Sequence, residues 1–196
     1  MAALFSIGYA TKPIETFIKQ LQAHRIDVVA DVRSVPYSKA FHDYHRERLI
    51  EHLRQAKIRY VYLGEELGPR SPCDEHYDYG QVQFERLQRS EPFQRGIKRL
   101  LDGLDKGFRI ALTCAEKDPA VCHRSLLIAQ FLKREHNLDI AHIDHEGALE
   151  SESELARRLL DETGIVPDML TGEEECLINA WREQSRRFAY RRPDEN

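Results

Sequence analysis

Five short apolar segments alternate with longer amphipathic segments along the chain, and this alternation predicts the fold. The apolar segments are bounded by glycine, proline or charged residues, as is typical of strands buried on both faces of a sheet; they cover residues 4–7, 26–30, 58–63, 108–113 and 138–143. Between them, apolar residues recur at three- and four-residue spacing, which indicates helices. The pattern therefore predicts an α/β fold, a three-layer Rossmann-like domain whose mainly parallel five-stranded sheet is flanked by helices. We expect the strand order 3-2-1-4-5 and right-handed crossovers.

Two further segments complete the predicted domain, which spans residues 1–196. Residues 64–80 hold three glycines and two prolines, a density that predicts a long loop and a candidate lid. Residues 150–196 contain helical patterns and predict a C-terminal helical extension packed on the domain. No internal repeat divides the chain.

Composition and charge narrow the class of protein. Hydrophobic residues make up 41% of the chain and charged residues 32%, which is typical of a globular protein, and the net charge of -4 provides no general field for nucleic acid. The chain shows neither a signal peptide nor an apolar stretch that could span a bilayer, so we expect a cytoplasmic protein without a membrane partner. Its four cysteines lack a disulfide-type spacing and are expected to be reduced.

An arginine-rich C-terminus is the local exception to the acidic charge. It contains interleaved aromatic residues and could contact nucleic acid; its residues are Arg182, Arg186, Arg187, Phe188, Tyr190, Arg191 and Arg192. A solvated helix end is the favoured interpretation, because cations complement a helix C-terminus.

Polar residues follow three of the predicted strands. Tyr9 follows the first, Asp31-Val-Arg-Ser34 follows the second, and Cys114-Ala-Glu116 follows the fourth. The carboxyl ends of parallel strands meet at one edge of a sheet, where open α/β folds bind ligands. Asp31 and Glu116 are therefore candidate acid–base groups, although an internal pairing of Asp31 with Arg33 is the alternative.

A helix is predicted to start at Asp118-Pro119, with aspartate as the N-cap and proline in the first turn. A helix N-terminus favours anions and lowers the pKa of a nearby thiol, so Cys122, and less strongly Cys114, is a candidate nucleophile. Buried structural cysteines are the alternative. A rotation of 100° per residue directs Arg124 inward and His123 outward, which weakens His123 as a general base.

Known chemical motifs limit the alternatives. Cys114, Glu116, Cys122 and His123 are acceptable zinc ligands, but no paired C-x2-C is present, so a metal site is the weaker interpretation and no metal or cofactor is assigned. A cysteine–arginine phosphatase loop starting at Cys114 would need arginine where Ala120 stands. The glycine-rich nucleotide loops are absent.

Several segments together resemble the DUF488 family of bacteria and archaea. They are Ser6-Ile-Gly-Tyr9, Asp31-Val-Arg-Ser-Val-Pro-Tyr-Ser38, residues 58–68 followed by Arg70, Leu112 to Arg124, and His142-Ile143. The resemblance implies that the predicted edge of the sheet is the family's shared site. It conveys no catalytic residue or cofactor, because the family has no assigned function. Pro69 stands where the family often has a second glycine, which puts the lid in doubt.

These observations predict an enzyme that acts on a small or nucleotide-like anionic substrate at the carboxyl edge of the sheet. The catalytic candidates are Asp31, Cys114, Glu116, Cys122 and His123; the substrate-binding candidates are Tyr9, Arg33, Ser34, Tyr37, Ser38, Arg70, Arg124 and Ser125. A non-catalytic module that binds a nucleotide or nucleic acid is the alternative, and a metal-binding protein is a weaker one.

Overall fold

A six-stranded, mainly parallel sheet forms the centre of the computed structural model, which describes residues 3–38, 40–166 and 171–193. Its strands are β1 (Leu4–Gly8), β2 (Val28–Asp31), β3 (Arg59–Tyr62), β6 (Ile110–Cys114), β7 (Ala141–Ile143) and β8 (Leu149–Ser151); β4 (Tyr77–Asp78) and β5 (Gln81–Val82) form a separate hairpin. The sheet order is β3-β2-β6-β1-β7-β8, and only the edge strand β8 runs antiparallel to its neighbour. The mixed α/β fold is confirmed, with one more strand than predicted.

The strand order differs from the predicted 3-2-1-4-5. The fourth predicted strand, β6, lies between β1 and β2 and pairs with both, so the first five strands have the order 3-2-4-1-5. The prediction placed β1 and β2 side by side, but β6 is buried at all five positions and satisfies backbone hydrogen bonds on both of its edges. As a result Cys114 lies opposite Gly8, and Thr113 lies opposite Asp31.

Helices cover both faces of the sheet and create two hydrophobic cores. They are α1 (Ile14–Ala23), α2 (Arg46–Gln55), α3 (Gly64–Leu67), α4 (Phe84–Gln88), α5 (Glu91–Asp105), α6 (Gln130–His136), α7 (Glu152–Thr163) and α8 (Glu173–Phe188). One core joins Phe5 and Ile7 of β1 to Phe17 and Leu49, while the other includes Leu112 and the α5 residue Phe93. Each such side chain contributes about 1.5–3 kcal/mol on burial, so the two cores hold the strand ends in place.

The predicted loop at residues 64–80 is partly regular structure. It contains α3, a 3₁₀ turn (Asp74–His76) and β4, and β5 follows it directly to complete the hairpin. The C-terminus pairs with this hairpin, because Val82 N donates to Tyr190 O at 2.9 Å and Arg192 N donates to Gly80 O at 2.8 Å. These contacts fix the segment against the body of the protein, which does not favour a lid.

The last two helices pack together against the segment that follows β6. Leu155 and Leu159 of α7 share a small core with Ala180 of α8 and with Ala120. Ser151 and Glu154 form a reciprocal capping box at the start of α7. None of the helices in residues 3–38, 40–166 and 171–193 has the length and apolarity needed to cross a membrane.

Candidate metal centre

The segment between β6 and α6 brings three reactive side chains to the carboxyl edge of the sheet. Asp118 caps a 3₁₀ turn (Pro119–Val121) by accepting from Ala120 N at 2.9 Å. Cys122 is extended, with φ -123° and ψ 140°, and a π-helical stretch (Arg124–Ala129) then leads into α6. The predicted start at Asp118-Pro119 is found, but the continuous α-helix is not.

His123 consequently points inward, opposite to its predicted direction. The 100° rotation assumed an unbroken α-helix, whereas the extended Cys122 turns the chain before His123. The imidazole is 8% exposed, and its Nε2 lies 2.9 Å from the carbonyl oxygen of Val32. A carbonyl only accepts, so Nε2 carries a proton. In the neutral ring Nδ1 is then left as an acceptor.

Nδ1 of His123 faces two buried thiols. It lies 3.7 Å from the Sγ of Cys114 and 3.8 Å from the Sγ of Cys122. Both cysteines are less than 5% exposed, at 4% and 1%. A histidine that binds a metal usually donates one ring N–H to a carbonyl or carboxylate, and its other ring nitrogen binds the ion. His123 has this arrangement, with Nε2 on the Val32 carbonyl and Nδ1 towards the thiols.

Glu116 completes the cluster from the solvent side. Its Oε2 lies 2.6 Å from the Sγ of Cys114 and 3.3 Å from the Sγ of Cys122. One donor atom from each of Cys114, Glu116, Cys122 and His123 lies within 4.8 Å of all the others. Glu116 is exposed, whereas the other three are buried. We call these four side chains the CECH cluster.

The thiols of the CECH cluster differ in their pKa values. Burial alone would raise the pKa of Cys122, but the hydrogen bond from Cys114 and the positive charges of Arg124 and His123 hold it well below its ordinary value. Burial and the neighbouring Cys122 raise the pKa of Cys114. Burial would lower the pKa of His123, but Cys122 and Glu116 outweigh this effect and raise it. Cys122 is therefore the thiol that ionises first.

Arg124 holds the loop that carries Glu116. Its guanidinium is fully buried and donates to the carbonyl oxygens of Glu116 at 2.7 Å and Lys117 at 3.1 Å, and to Ser6 Oγ at 3.1 Å. It was predicted to hold an anion, but the structure gives it three partners within the protein. It holds the backbone of Glu116 and Lys117, and its positive charge acts on both thiols.

Asp31 and Arg33 form a closed ion pair beside the cluster. Arg33 donates from Nε and Nη2 to the two carboxylate oxygens of Asp31 at 2.8 and 2.6 Å, and both side chains are buried. Tyr60 also donates to Asp31, and Arg33 donates to Tyr9 Oη and Tyr44 O. The internal pairing of Asp31 with Arg33 that the sequence analysis gave as an alternative is therefore present, and it occupies both carboxylate oxygens.

Except for Ser125, the remaining substrate-binding candidates contact neighbouring protein groups. Ser34 Oγ accepts from Arg70 N and Ser38 Oγ accepts from Phe41 N, both at 3.1 Å. Tyr37 donates to Glu47, the Arg70 guanidinium lies over the Tyr190 ring, and Tyr9 stacks on Tyr44. Ser125 is buried, and its hydroxyl finds no partner among the described residues. In the arginine-rich C-terminus, Arg191 and Arg192 bind Tyr79 O and Asp74 respectively.

Sequence reasoning missed a buried polar chain behind the site. Ser6 Oγ lies 2.7 Å from His142 Nδ1, and His142 Nε2 lies 3.2 Å from Glu152 Oε1. Ser6, His142 and Glu152 are all less than 9% exposed, at 0%, 1% and 8%. The sequence feature that could have indicated this chain is a polar residue inside each of two otherwise apolar strands, Ser6 in the first and His142 in the fifth. This chain fixes Ser6, and Ser6 in turn accepts from Arg124.

Comparison with known proteins identifies the family. Residues 13–131 match DUF488, described as "Domain of unknown function DUF488", and the chain therefore belongs to this family. No curated protein matches the chain. Two crystal structures of a "Putative phosphatase (DUF442)" from Shewanella putrefaciens CN-32 are similar at 14% and 16% identity, with TM-scores of 0.41 and 0.39. The alignments cover 97% of this chain and 91% and 93% of those chains.

Proposed function

We propose that the protein binds a zinc ion through the CECH cluster. The observation that carries this proposal is the convergence of two sulfur, one nitrogen and one oxygen donor within 4.8 Å. Thiolate and imidazole ligands select zinc over hard cations such as Mg²⁺ or Ca²⁺. This proposal replaces the ranking from sequence, in which a metal was the weakest alternative because a paired C-x2-C was lacking.

The spacing of the donor atoms fits a tetrahedral ion. With metal–sulfur and metal–nitrogen distances of about 2.3 and 2.1 Å, neighbouring ligand atoms should be about 3.6 Å apart. The two sulfur–nitrogen distances of 3.7 and 3.8 Å match this value. The sulfur–oxygen distances of 2.6 and 3.3 Å are shorter, so the Glu116 carboxylate would move outward slightly when the ion binds.

The charges of the site also support a divalent cation. The two thiolates and the Glu116 carboxylate carry three negative charges, and the zinc ion carries two positive charges. Together they have a net charge of minus one. Arg124 supplies a positive charge that acts on both thiols, as its effects on the pKa values of Cys114 and Cys122 indicate. Ion and surroundings are then close to neutral, which limits the cost of burying the site.

Measurement of the zinc content of the purified full-length protein tests the proposal. We expect a single zinc equivalent in the wild type and none after dialysis in Cys114→Ser, Cys122→Ser or His123→Ala. Loss of even an outer-shell partner costs about 10- to 100-fold in affinity, and loss of a ligand should cost more. Cys73→Ser is the matched control, because Cys73 is free and exposed.

Two outcomes of the zinc measurement would overturn the proposal. One is a wild-type protein that binds no zinc when refolded with the ion under reducing conditions. The other is zinc that Cys73→Ser loses and Cys122→Ser retains. Circular dichroism of each variant separates loss of the ligand from loss of the fold.

An enzyme that uses Cys122 as its nucleophile, a role for which the sequence made Cys122 a candidate, is the second candidate function. It is favoured by the contact of Cys122 with Cys114 and by the His123 imidazole 3.8 Å from its sulfur. The two candidates differ in what protects Cys122 from alkylation. Zinc should block iodoacetamide in the first case, whereas a free nucleophile should react equally with and without zinc. Both need reduced thiols, in agreement with the expected cytoplasmic location.

A further inference from the structure

The four members of the CECH cluster are not equivalent. Cys114, Cys122 and His123 are buried, and Glu116 alone is exposed. A zinc ion held by these side chains would therefore be enclosed by three ligands and reach solvent through the fourth. Structural zinc sites are closed by four protein ligands, whereas catalytic sites use three protein ligands and leave one position for an exchangeable group.

The three buried donors are fixed by regular structure or by hydrogen bonds. Cys114 is the last residue of β6 and is paired in register with Gly8. His123 is oriented by the Val32 carbonyl on the neighbouring strand end. Cys122 directly precedes His123, and its carbonyl accepts from Leu126 N at 2.9 Å. Cys114, Cys122 and His123 are 4%, 1% and 8% exposed, so these three donors lie within the packed protein and not at its surface.

The Glu116 side chain is held differently. Its hydrogen bonds within the described residues run only to the two cysteine sulfurs, and the backbone of Glu116 is held separately by Arg124. Rotation of the side chain into solvent therefore leaves the loop in place. Glu116 is already exposed, so this rotation hydrates the carboxylate further and brings no charged group out of water.

We propose that Glu116 is an exchangeable ligand and that its departure opens the fourth zinc position to small anions; this inference depends on the proposed zinc site. Without Glu116, the ion and two thiolates are neutral together, and the buried Arg124 guanidinium leaves the site with one positive charge. An anionic donor is thus favoured over a neutral one. The anion binding predicted for the edge of the sheet would then come from the metal and not from Arg33 or Arg124.

Cobalt substitution of the full-length protein tests this inference. Co²⁺ bound to two thiolates reports its ligands through visible absorption, and sodium thiocyanate is the probe anion. We expect Glu116→Ala to retain cobalt, unlike Cys122→Ser. Its thiocyanate dissociation constant should be about tenfold lower than that of the wild type, because the competing carboxylate has the high effective concentration of a tethered group. Glu116→Gln should behave like Glu116→Ala, and Glu85→Ala, at an exposed site on α4, like the wild type.

The outcomes separate the two proposals. Failure of the wild type to bind cobalt or zinc overturns the proposed function itself. Cobalt binding by the wild type with loss of the metal in both Glu116 variants, each still folded, shows a closed structural site and overturns the inference. Spectra that thiocyanate leaves unchanged in all variants overturn it as well. Tighter thiocyanate binding in both Glu116 variants than in Glu85→Ala supports it.

Discussion

His123 donates from Nε2 to the carbonyl oxygen of Val32 at 2.9 Å, and this bond links the end of β2 to the cluster that follows β6. Val32 lies between Asp31 and Arg33, whose ion pair holds the same turn. The residues predicted to perform chemistry on β2 therefore support the imidazole through the backbone. The four side chains of the CECH cluster lie at the end of β6 and in the segment that follows it.

Alanine at Gly8 should disturb the cluster through its backbone. A Cβ at this position would lie 1.9 Å from the Glu116 carbonyl oxygen, so strand and loop can approach only when residue 8 is glycine. We expect Gly8→Ala to destabilise the protein by about 1–3 kcal/mol, as overpacked sites do, and to weaken zinc binding. Urea unfolding and a zinc competition assay measure the two effects.

Gly172→Ala is the control for this substitution, because its added Cβ meets no atom of the described residues within 4 Å. It should leave zinc affinity unchanged and lower stability by less than Gly8→Ala does, since the N-cap of α8 favours glycine over alanine. Equal effects of the two substitutions would contradict the close approach at Gly8.

The contrast between Asp31 and Cys114 shows how far sequence reasoning reached. Both were placed at strand ends because apolar segments end before polar residues, and their strands pair directly, although the predicted order had put β1 between them. Whether a charged side chain is free depends on its partners, however, and Arg33 two residues away takes up both oxygens of Asp31. Composition and spacing do not reveal whether Asp31 pairs with Arg33 or remains free for a ligand.

The direction of His123 could not be predicted for a different reason. Helical periodicity assumes a constant rotation per residue, and the 3₁₀ turn, the extended Cys122 and the π-helical stretch each change it. Such irregular helices are frequent at functional sites. The strand order was also missed, because pairing between distant strands is a long-range property that local patterns do not encode.

Asparagine at Asp31 should reduce stability without removing zinc. Asp31→Asn keeps the shape of the side chain but leaves the Arg33 guanidinium buried without its counter-charge, which typically costs about 3–5 kcal/mol. We expect a lower urea midpoint and an unchanged zinc content in the folded protein. Glu51→Gln, which breaks an exposed pair with Arg54, is the control and should have little effect. Loss of zinc from folded Asp31→Asn would place Asp31 in the metal site.

Alanine at Ser6 should show what the buried polar chain contributes. Ser6→Ala leaves His142 Nδ1 and Arg124 Nε without their shared partner, and each buried unsatisfied group costs about 1–3 kcal/mol. The protein should lose stability in chemical denaturation, whereas the exposed Ser153→Ala should not. Unchanged stability of Ser6→Ala would mean that other partners satisfy both nitrogens, and the chain would have no structural role.

Lys12 should make stability depend on pH in an alkaline window. Lys12 is 2% exposed, its ammonium donates to Gln20 and to the Asp144 carbonyl, and burial lowers its pKa from 10.5 to about 8. Between these pH values the unfolded chain binds more protons than the folded chain, so the free energy of unfolding rises with pH. At about 1.4 kcal/mol per pKa unit, the rise approaches roughly 3 kcal/mol.

Lys12→Met should abolish this rise in unfolding free energy, because methionine cannot titrate. The difference in unfolding free energy between wild type and Lys12→Met should therefore increase from pH 8 to pH 10.5, which urea titrations can measure. Other titrating groups are common to both proteins and cancel, so a difference that stays constant across the window would show that Lys12 keeps its ordinary pKa.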